Sequence, residues 1–508
     1  MKEKKTMCLL FLLAIVLITL FSCCSWIYPL QPHDDANVFM SIGKSMLSGK
    51  LLYTEVHDHK GPVLYFLHEW AAVLSSRTFF GIYLLEVLCC FGFLVYSYRM
   101  MCMFAEHSIC MVTICLVGVL TYSSDFMFYG DMVEELSLPV LSCILYKTLR
   151  YAKHGQLPNR WEALFIGAGV AAVFWMKYTV LFICFGSLAA ILILAVKRNH
   201  LCGVMSCLGW MTVGAAALTT PVMTYFIVHG NIQSLYQSYF IFNICSYANR
   251  AAEVLWLPPL KVAGWLVLIS VVLMARISRD VKVTIALCWG AELLTFVLIK
   301  VYLYYFLTIY IFAPFIIYII RKIKSRILIH VIAIILIVIA TMTNFNLMTL
   351  INGKFPTAVL PMAKIINADN DPDKQVLTIN SYDTGIYTLT DCLPPIKYFV
   401  TPNVYVKELV DEQTDYLTTC KAKYLIRKTD GFEHYYETFH PDLSRDYRAI
   451  YTTTSAYRPE LLLHPLEYLW TLGYIRGVIE KQCEPERRVV TYRLYRIKSE
   501  KATGVIRH

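Results

Sequence analysis

Residues 33–62 read HDDANVFMSIGKSMLSGKLLYTEVHDHKGP, and the rest of the chain is understood from them. They follow an apolar run at residues 7–28 and form the most polar segment in the first quarter of the sequence. They hold paired carboxylates (Asp34, Asp35), a second acidic cluster (Glu55, Asp58), three histidines (His33, His57, His59) and Lys60 just before Gly61-Pro62. A segment this polar beside an apolar span belongs at a membrane surface, where it binds something or does chemistry. The remaining chain reads as a scaffold for it, with a soluble cap.

Composition supports the membrane setting. Of 508 residues, 57% are hydrophobic and 16% charged, against about 25% charged in soluble domains. Runs of about 20 apolar residues recur, as membrane helices require. The net charge of +10 does not indicate nucleic acid, because lysines and arginines sit between the spans as the positive-inside rule demands. The 17 cysteines form no C-x-x-C pair. Most lie in apolar runs (Cys89, Cys90, Cys110, Cys115, Cys143, Cys184, Cys288), where cysteine acts as a small hydrophobe. Cys392, Cys420 and Cys483 lie in the polar tail, and their pairing is left open.

Lys2, Lys4 and Lys5 precede the first span, which reads as an uncleaved helix with a cytoplasmic N-terminus. Residues 63–74 are too short to cross and read as an interfacial helix. Further spans are expected at 79–104, 108–123, 136–151, 162–175, 180–196, 203–228, 260–274, 283–299, 303–320 and 327–345, about eleven in all. Basic residues cluster in alternate connections: Arg99; Lys147, Arg150, Lys153; Lys197, Arg198; Arg276, Arg279, Lys282; and Arg321, Lys322, Lys324, Arg326. Lys177, Arg250 and Lys300 are exceptions on the opposite side. This bias places the opening loop, the 125–135 loop, the 230–259 loop and the tail outside the cell membrane. The expected fold is a polytopic α-helical membrane protein with a C-terminal extracytoplasmic α/β domain, divided as residues 1–345 and 346–508. In the tail, strands are expected at 375–379, 422–427, 447–453 and 488–497, with a helix at 406–419.

Several side chains could carry chemistry. Asp34 and Asp35 suit a general base or a cation ligand; alternatively they cap a helix starting near Val38. Lys60 could neutralise a phosphate or snorkel at the interface. Asp131, Glu134 and Glu135, in FYGDMVEELSLP, could position an acceptor or hold a cation, or simply begin a helix. The three histidines match no closed zinc spacing. Glu86 and Glu292 fall inside spans, where ionisable groups are costly. Tyr302, Tyr304, Tyr305 and Tyr310 suit an aromatic belt or a sugar-binding surface. There is no G-x-G-x-x-G fingerprint and no P-loop, so no soluble nucleotide site is evident.

The order of these features resembles a family. The acidic pair is followed by Gly43, Gly49 and Tyr53, then by Asp58-His59-Lys60-Gly61-Pro62; a second loop bears VEELSLP and a late span opens with YLYYF. This is similar to the polytopic GT-C glycosyltransferases, in the bacterial branch of protein mannosyltransferases and aminoarabinose transferases. The resemblance implies a sugar donor on a polyprenyl phosphate and a glycan, lipid or protein acceptor outside the membrane. It implies Asp35 as general base, with Phe39 at the family's spacing after it and Asp34 in reserve. The acceptor hydroxyl would attack with inversion. Lys60 would neutralise the lipid phosphate. Glu134 or Glu135 would serve the acceptor, with Asp131 and Asp58 as further acids, and Tyr53, Tyr304 and Tyr305 would line the cavity. Two departures stand out: Tyr304-Tyr305 replaces a common His-Tyr, and Ala36 replaces a common Glu. They leave the acceptor and any divalent cation open. The rival reading is a transporter or lipid flippase, which would favour mid-membrane charges and matched half-repeats. No such repeat is visible. A sensor anchored by its spans would need far fewer of them.

Overall fold

A computed structural model describes residues 2–247, 259–298, 303–379, 383–400, 407–419, 421–429, 446–456 and 489–498. Tyr302, Arg250, Lys300, Cys420 and Cys483 lie outside the described residues.

The chain begins with α1 (Lys2–Phe21), α2 (Asp34–Leu47), α3 (Pro62–Leu74), α4 (Phe80–Cys102) and α5 (His107–Tyr122). Then come α6 (Val133–His154), α7 (Arg160–Lys177), α8 (Phe182–Lys197), α9 (Leu201–Val228) and α10 (Ile232–Leu235), which runs on as a π-helical stretch, Tyr236–Tyr247. After α11 (Pro259–Met274) and α12 (Arg279–Leu298), a 3-10 stretch, Leu303–Ile316, leads into α13 (Ile317–Ile320), α14 (Arg326–Thr343) and α15 (Phe345–Ile351). The tail holds α16 (Val359–Asn367), β1 (Val376–Ile379), α17 (Ile386–Leu389), α18 (Lys407–Thr418), β2 (Tyr424–Thr429), β3 (Tyr447–Ala456) and β4 (Val489–Ile497).

Each expected span overlaps a helix among the described residues, although the first, expected to residue 28, ends as helix at Phe21. Among the described residues five stretches are long and apolar enough to cross a membrane: Glu3–Phe21, Phe80–Cys102, Arg160–Lys197, Leu201–Val228 and Arg326–Thr343. The third is 38 residues, or about 57 Å as one helix, nearly twice a hydrocarbon core of about 30 Å. It is in fact broken where Lys177 takes extended backbone (φ −164°, ψ 97°) between α7 and α8. The α9 and α14 stretches turn most of their apolar surface outward, with Val228 and Ile327 among the exposed residues. Such surface is stable where the solvent is lipid.

The residues fall into two compact units. The first comprises Met1–Ile27, Tyr83–Phe226 and Arg250–Ile351. Its interior is apolar: Leu116, Ile320 and Ile329 cluster from α5, α13 and α14, and Cys143, Ile144 and Ile166 from α6 and α7. Cys143 packs there as a hydrophobe, as its sequence context suggests.

The second unit comprises Tyr28–Ile82, Ile227–Asn249 and Asn352–His508. The opening loop therefore packs both with the tail and with Ile227–Asn249. The reason lies on α2. Lys44 Nζ donates to the carbonyls of Tyr387 (2.8 Å) and Thr390 (2.6 Å), and Ser41 donates to the Asp383 carboxylate. The tail's sheet has the order β1-β2-β4-β3, with β1 and β2 parallel and the other pairs antiparallel. All four residues of β1 are buried, and the Tyr387 hydroxyl of α17 donates to the Val376 carbonyl at 3.1 Å.

Gly43 explains one spacing of the loop motif. A Cβ there would lie 2.5 Å from the His68 carbonyl carbon and 2.6 Å from the Glu69 nitrogen, so glycine lets α2 cross α3 closely. Gly43→Ala should destabilise the protein by about 1–3 kcal/mol, the usual result of overpacking. Gly290→Ala on α12, where a Cβ meets open space, should change little. Thermal melting of the two purified variants checks this.

Candidate active site

In the second unit the motif 51–62 folds into a tight, buried loop. Tyr53 takes a left-handed backbone (φ +63°) and its N–H donates to the Val56 carbonyl at 2.8 Å. The Tyr53 hydroxyl then donates to the Lys60 carbonyl at 2.5 Å. Asn243 donates to the His59 carbonyl at 2.7 Å, and the His57 N–H to the Lys397 carbonyl at 3.1 Å. The loop backbone is thus fixed from three sides.

A chain of side chains runs through it. The Tyr65 hydroxyl donates to Asp58 Oδ2 at 2.6 Å, and Asp58 Oδ1 lies 2.9 Å from His59 Nδ1. His59 Nε2 lies 3.0 Å from Lys60 Nζ, which in turn is 4.0 Å from Asp35 Oδ2. Burial tends to raise the Asp58 carboxyl, but His59, Lys60 and the Tyr65 hydrogen bond outweigh it and hold Asp58 well below the ordinary carboxylate range. Burial, then Lys60, pushes His59 below the usual imidazole value. Asp58 is therefore a carboxylate and His59 a neutral ring. The ring places its proton on Nδ1 for Asp58 and accepts from Lys60 at Nε2. A buried ammonium held this way, with its side chain also against the Phe39 ring (6.0 Å), is a fixed cation. Asp35 lies half-buried in the first turn of α2, beside it. The helix begins at Asp34, with His33 at the cap position and no side-chain cap bond, so neither aspartate is the cap that the sequence allowed.

His57, three residues before Lys60, is buried and neutral. Desolvation lowers it to about 3, against the pull of Asp58. Asp383, also buried, is raised by desolvation to about 6 despite donors from Ser41 and the Gly385 N–H. The two have opposite linkage. His57 has a depressed folded value, so its share of stability is lost as pH falls from about 6.5 towards 3, in all roughly 5 kcal/mol. Asp383 has a raised folded value, so its share is present in acid and lost as pH rises through about 6. In the wild type the two largely offset between pH 6 and 4.5. The melting temperature of His57→Phe should rise relative to wild type as pH falls through that window. The relative melting temperature of Asp383→Asn should fall. Melting curves at four or five pH values read both signs.

The first unit holds the second set of expected residues. Glu134 and Glu135 begin α6 side by side but have different partners. Glu134 is buried and accepts from Lys177 Nζ at 2.5 Å. That ammonium sits 3.3 Å from the centroid of the Tyr305 ring and 5.4 Å from that of Tyr304. Glu135 is fully buried and interacts with Glu86. Glu86 in turn accepts from Ser22 Oγ (2.7 Å) and from the Asp131 N–H (2.7 Å). Gly130 (φ +87°) makes this turn possible, since a Cβ there would stand 2.2 Å from Ser22 Oγ. Glu292 accepts from the Thr308 hydroxyl. Among the described residues no three His, Cys, Asp or Glu side chains converge as a metal site would require.

No protein-family model matches the sequence, and no curated protein matches it. Solved structures do resemble the fold, two of them structures of ArnT. One is ArnT from Cupriavidus metallidurans bound to undecaprenyl phosphate, at 11% identity and TM-score 0.57, covering 96% of each chain. The other is ArnT from Cupriavidus metallidurans in the apo state, at 11% identity and TM-score 0.56, covering 97% of this chain and 98% of that one. The fold is that of ArnT.

This fold, mostly helical with a small C-terminal sheet, agrees with the polytopic helical architecture that the sequence resemblance implied. Within it the structure joins Asp35, Asp58 and Lys60 in one unit, with Tyr53 bracing Lys60 from behind. It joins Glu134 with Tyr304 and Tyr305 in the other, through Lys177, and sets Asp131 and Glu135 around Glu86. Three contributors were not singled out as site residues. Lys177 was noted only as an exception to the charge bias, and that isolation was its signal. Asp383 and Asn243 gave no local signal at all.

Proposed function

We propose that this chain is a membrane glycosyltransferase. It takes a sugar from a polyprenyl-phosphate donor and transfers it, with inversion, to a hydroxyl of an extracytoplasmic glycan, lipid or protein. The observation that carries this reading is the 4.0 Å approach of Asp35 to Lys60 at the end of a braced side-chain chain, in the fold of a protein crystallised with undecaprenyl phosphate. Asp35 takes the proton of the acceptor hydroxyl as its oxygen attacks the anomeric carbon. The bond from that carbon to the phosphate oxygen breaks, and the lipid phosphate leaves with the electron pair. Lys60 neutralises the charge that builds on that oxygen; being preorganised, it stabilises the transition state more than a mobile lysine would. The charge bias of the loops supports a topology with the N-terminus cytoplasmic and this chemistry outside. The family resemblance assigns Glu134 or Glu135 to the acceptor, and Glu134 is held by Lys177.

The test is mass spectrometry of cell-surface glycans and lipids from cells carrying the wild-type chain or Asp35→Ala. The expected result is one hexose- or pentose-sized mass missing from one class of molecule in the variant. Identical profiles, with both proteins present in the membrane, would remove the reading.

A further inference from the structure

Helix α2 carries Asp35, and its two sides meet different neighbours within the second unit. One side faces α3. The Phe39 ring lies edge-on to those of Tyr65 and His68, with centroids 6.2 Å and 5.6 Å away, and Gly43 lets the two backbones close. Apolar packing is non-directional, so it sets the spacing of two helices more firmly than their rotation.

The other side is polar. Asn37, Ser41 and Lys44 recur at helical spacing, and all three meet the segment from Asp383 to Thr390. Lys44 donates to two of its carbonyls. Ser41 donates to Asp383 Oδ2. The Asn37 amide oxygen stands against Gly385, where a Cβ would lie 3.1 Å from it. Gly385 has left-handed backbone (φ +88°), and its N–H donates to Asp383 Oδ1 at 2.8 Å. One carboxylate oxygen thus holds its own turn and the other holds α2. Asp383 is completely buried. A buried carboxyl is destabilising where an apolar side chain would not be, so its presence points to a role beyond packing.

We propose that Asp383 is a positioning residue for the general base: through Ser41 it fixes the height and rotation of α2 and so holds Asp35 in place beside Lys60. The role of Asp35 as the base rests on the glycosyltransferase reading above. A base acts only within hydrogen-bond reach of the proton it takes, and a misplacement of about 1 Å can slow a reaction about 10²-fold. Among the described residues, the charged and titratable groups that act on Asp383 are Asp34 and Lys44 of α2 and Tyr387 of α17. Burial raises its carboxyl to about 6 against the bonds from Ser41 and Gly385, so it is ionised above that pH and neutral below. Only the ionised form accepts freely at both oxygens.

The pH dependence of turnover tests this, measured on the full-length protein with the sugar mass that the Asp35→Ala comparison identifies. The ratio of wild-type to Asp383→Asn kcat should fall from about tenfold at pH 7.5 to about twofold at pH 5, because the amide mimics the neutral acid. Any titration of Asp35 itself cancels in that ratio. Stability moves the other way. The relative melting temperature of Asp383→Asn drops in acid, so a loss of activity through weaker folding would widen the ratio at pH 5. Undecaprenyl phosphate binding, read by native mass spectrometry, should be unchanged, because Lys60 is held by its own loop. Ser41→Ala should reproduce the loss at pH 7.5, and joined to Asp383→Asn it should add little, because both act through one contact. A ratio that is flat or rises in acid, with both proteins folded, overturns the proposal, as does a Ser41→Ala protein as fast as the wild type. If Asp35→Ala leaves the surface profile unaltered, the glycosyltransferase reading falls and this role falls with it. A flat ratio with transfer lost in Asp35→Ala removes the positioning role alone.

Discussion

Asp35→Asn should lower sugar transfer by about 10²- to 10⁴-fold, the usual contribution of a positioned general base, while leaving insertion and melting temperature nearly unchanged. The structural side of that statement follows from where the carboxylate sits. Its side chain is 19% exposed, its contact with Lys60 is 4.0 Å, and it makes no helix-cap bond. An acid in a first helical turn contributes only about 0.3–1 kcal/mol through the helix dipole. Lys60 keeps His59 as a partner when Asp35 becomes an amide. The chemical side is that asparagine cannot accept a proton at working pH. Asp34→Asn is the internal control. Asp34 shares the first turn, but its charge acts on the buried Asp383. Its replacement should cost less than tenfold. Product formation, measured on the molecule that mass spectrometry identifies, decides between them. Equal losses in both variants would move the base role away from Asp35, and a tenfold greater loss in Asp34→Asn would transfer it to Asp34.

Much of this was legible in the sequence because two signals are strong and local. Apolar runs of membrane length favour helix strongly, so each expected span overlaps a helix among the described residues. The short β-branched and aromatic runs of the tail became β1 to β4 within a few residues. The loop motif was legible as well. Gly43 marks a close helix crossing, and Lys60 before Gly61-Pro62 stands at the start of α3. What stayed hidden was long-range pairing. Nothing near Lys177 tells that it will meet Glu134, 43 positions away, or that its ammonium will lie over Tyr305. Neighbouring acids such as Glu134 and Glu135 look alike in sequence, yet one helical step of about 100° sends them to an ion pair and to a buried carboxyl cluster. Burial decided the rest. Asp383 reads as an ordinary tail aspartate until α2 covers it and Ser41 donates to it. Aspartates are good caps, which makes a start of α2 near Val38 a fair alternative from sequence; here they occupy the first turn instead, where the helix dipole favours them just as well.

Lys60→Ala should cost transfer about 10²- to 10³-fold, as does removing one preorganised group from a charge-stabilising site. It should also differ in kind from the aspartate variant. Undecaprenyl phosphate binding, measured by native mass spectrometry on the purified protein, should weaken at least tenfold in Lys60→Ala, because the fixed cation is gone. In Asp35→Asn the same binding should hold or tighten, because a carboxylate 4.0 Å from the ammonium repels a phosphate and the amide does not. Opposite signs on lipid binding, with large losses of transfer in both, separate a leaving-group cation from a proton acceptor. Lys60→Arg should recover little, since a planar guanidinium cannot reproduce the single Nζ contact with His59 Nε2 at 3.0 Å. The brace behind the lysine should show a third pattern. Asp58→Asn weakens the hold on the His59 tautomer but keeps the positive charge, so lipid binding should survive while turnover falls about tenfold. Combined with Lys60→Ala, it should add almost nothing, because residues acting through one group are not additive. If instead Asp58→Asn and Lys60→Ala multiply, the chain from Tyr65 to Lys60 is not one unit, and the lysine is positioned by the loop backbone alone.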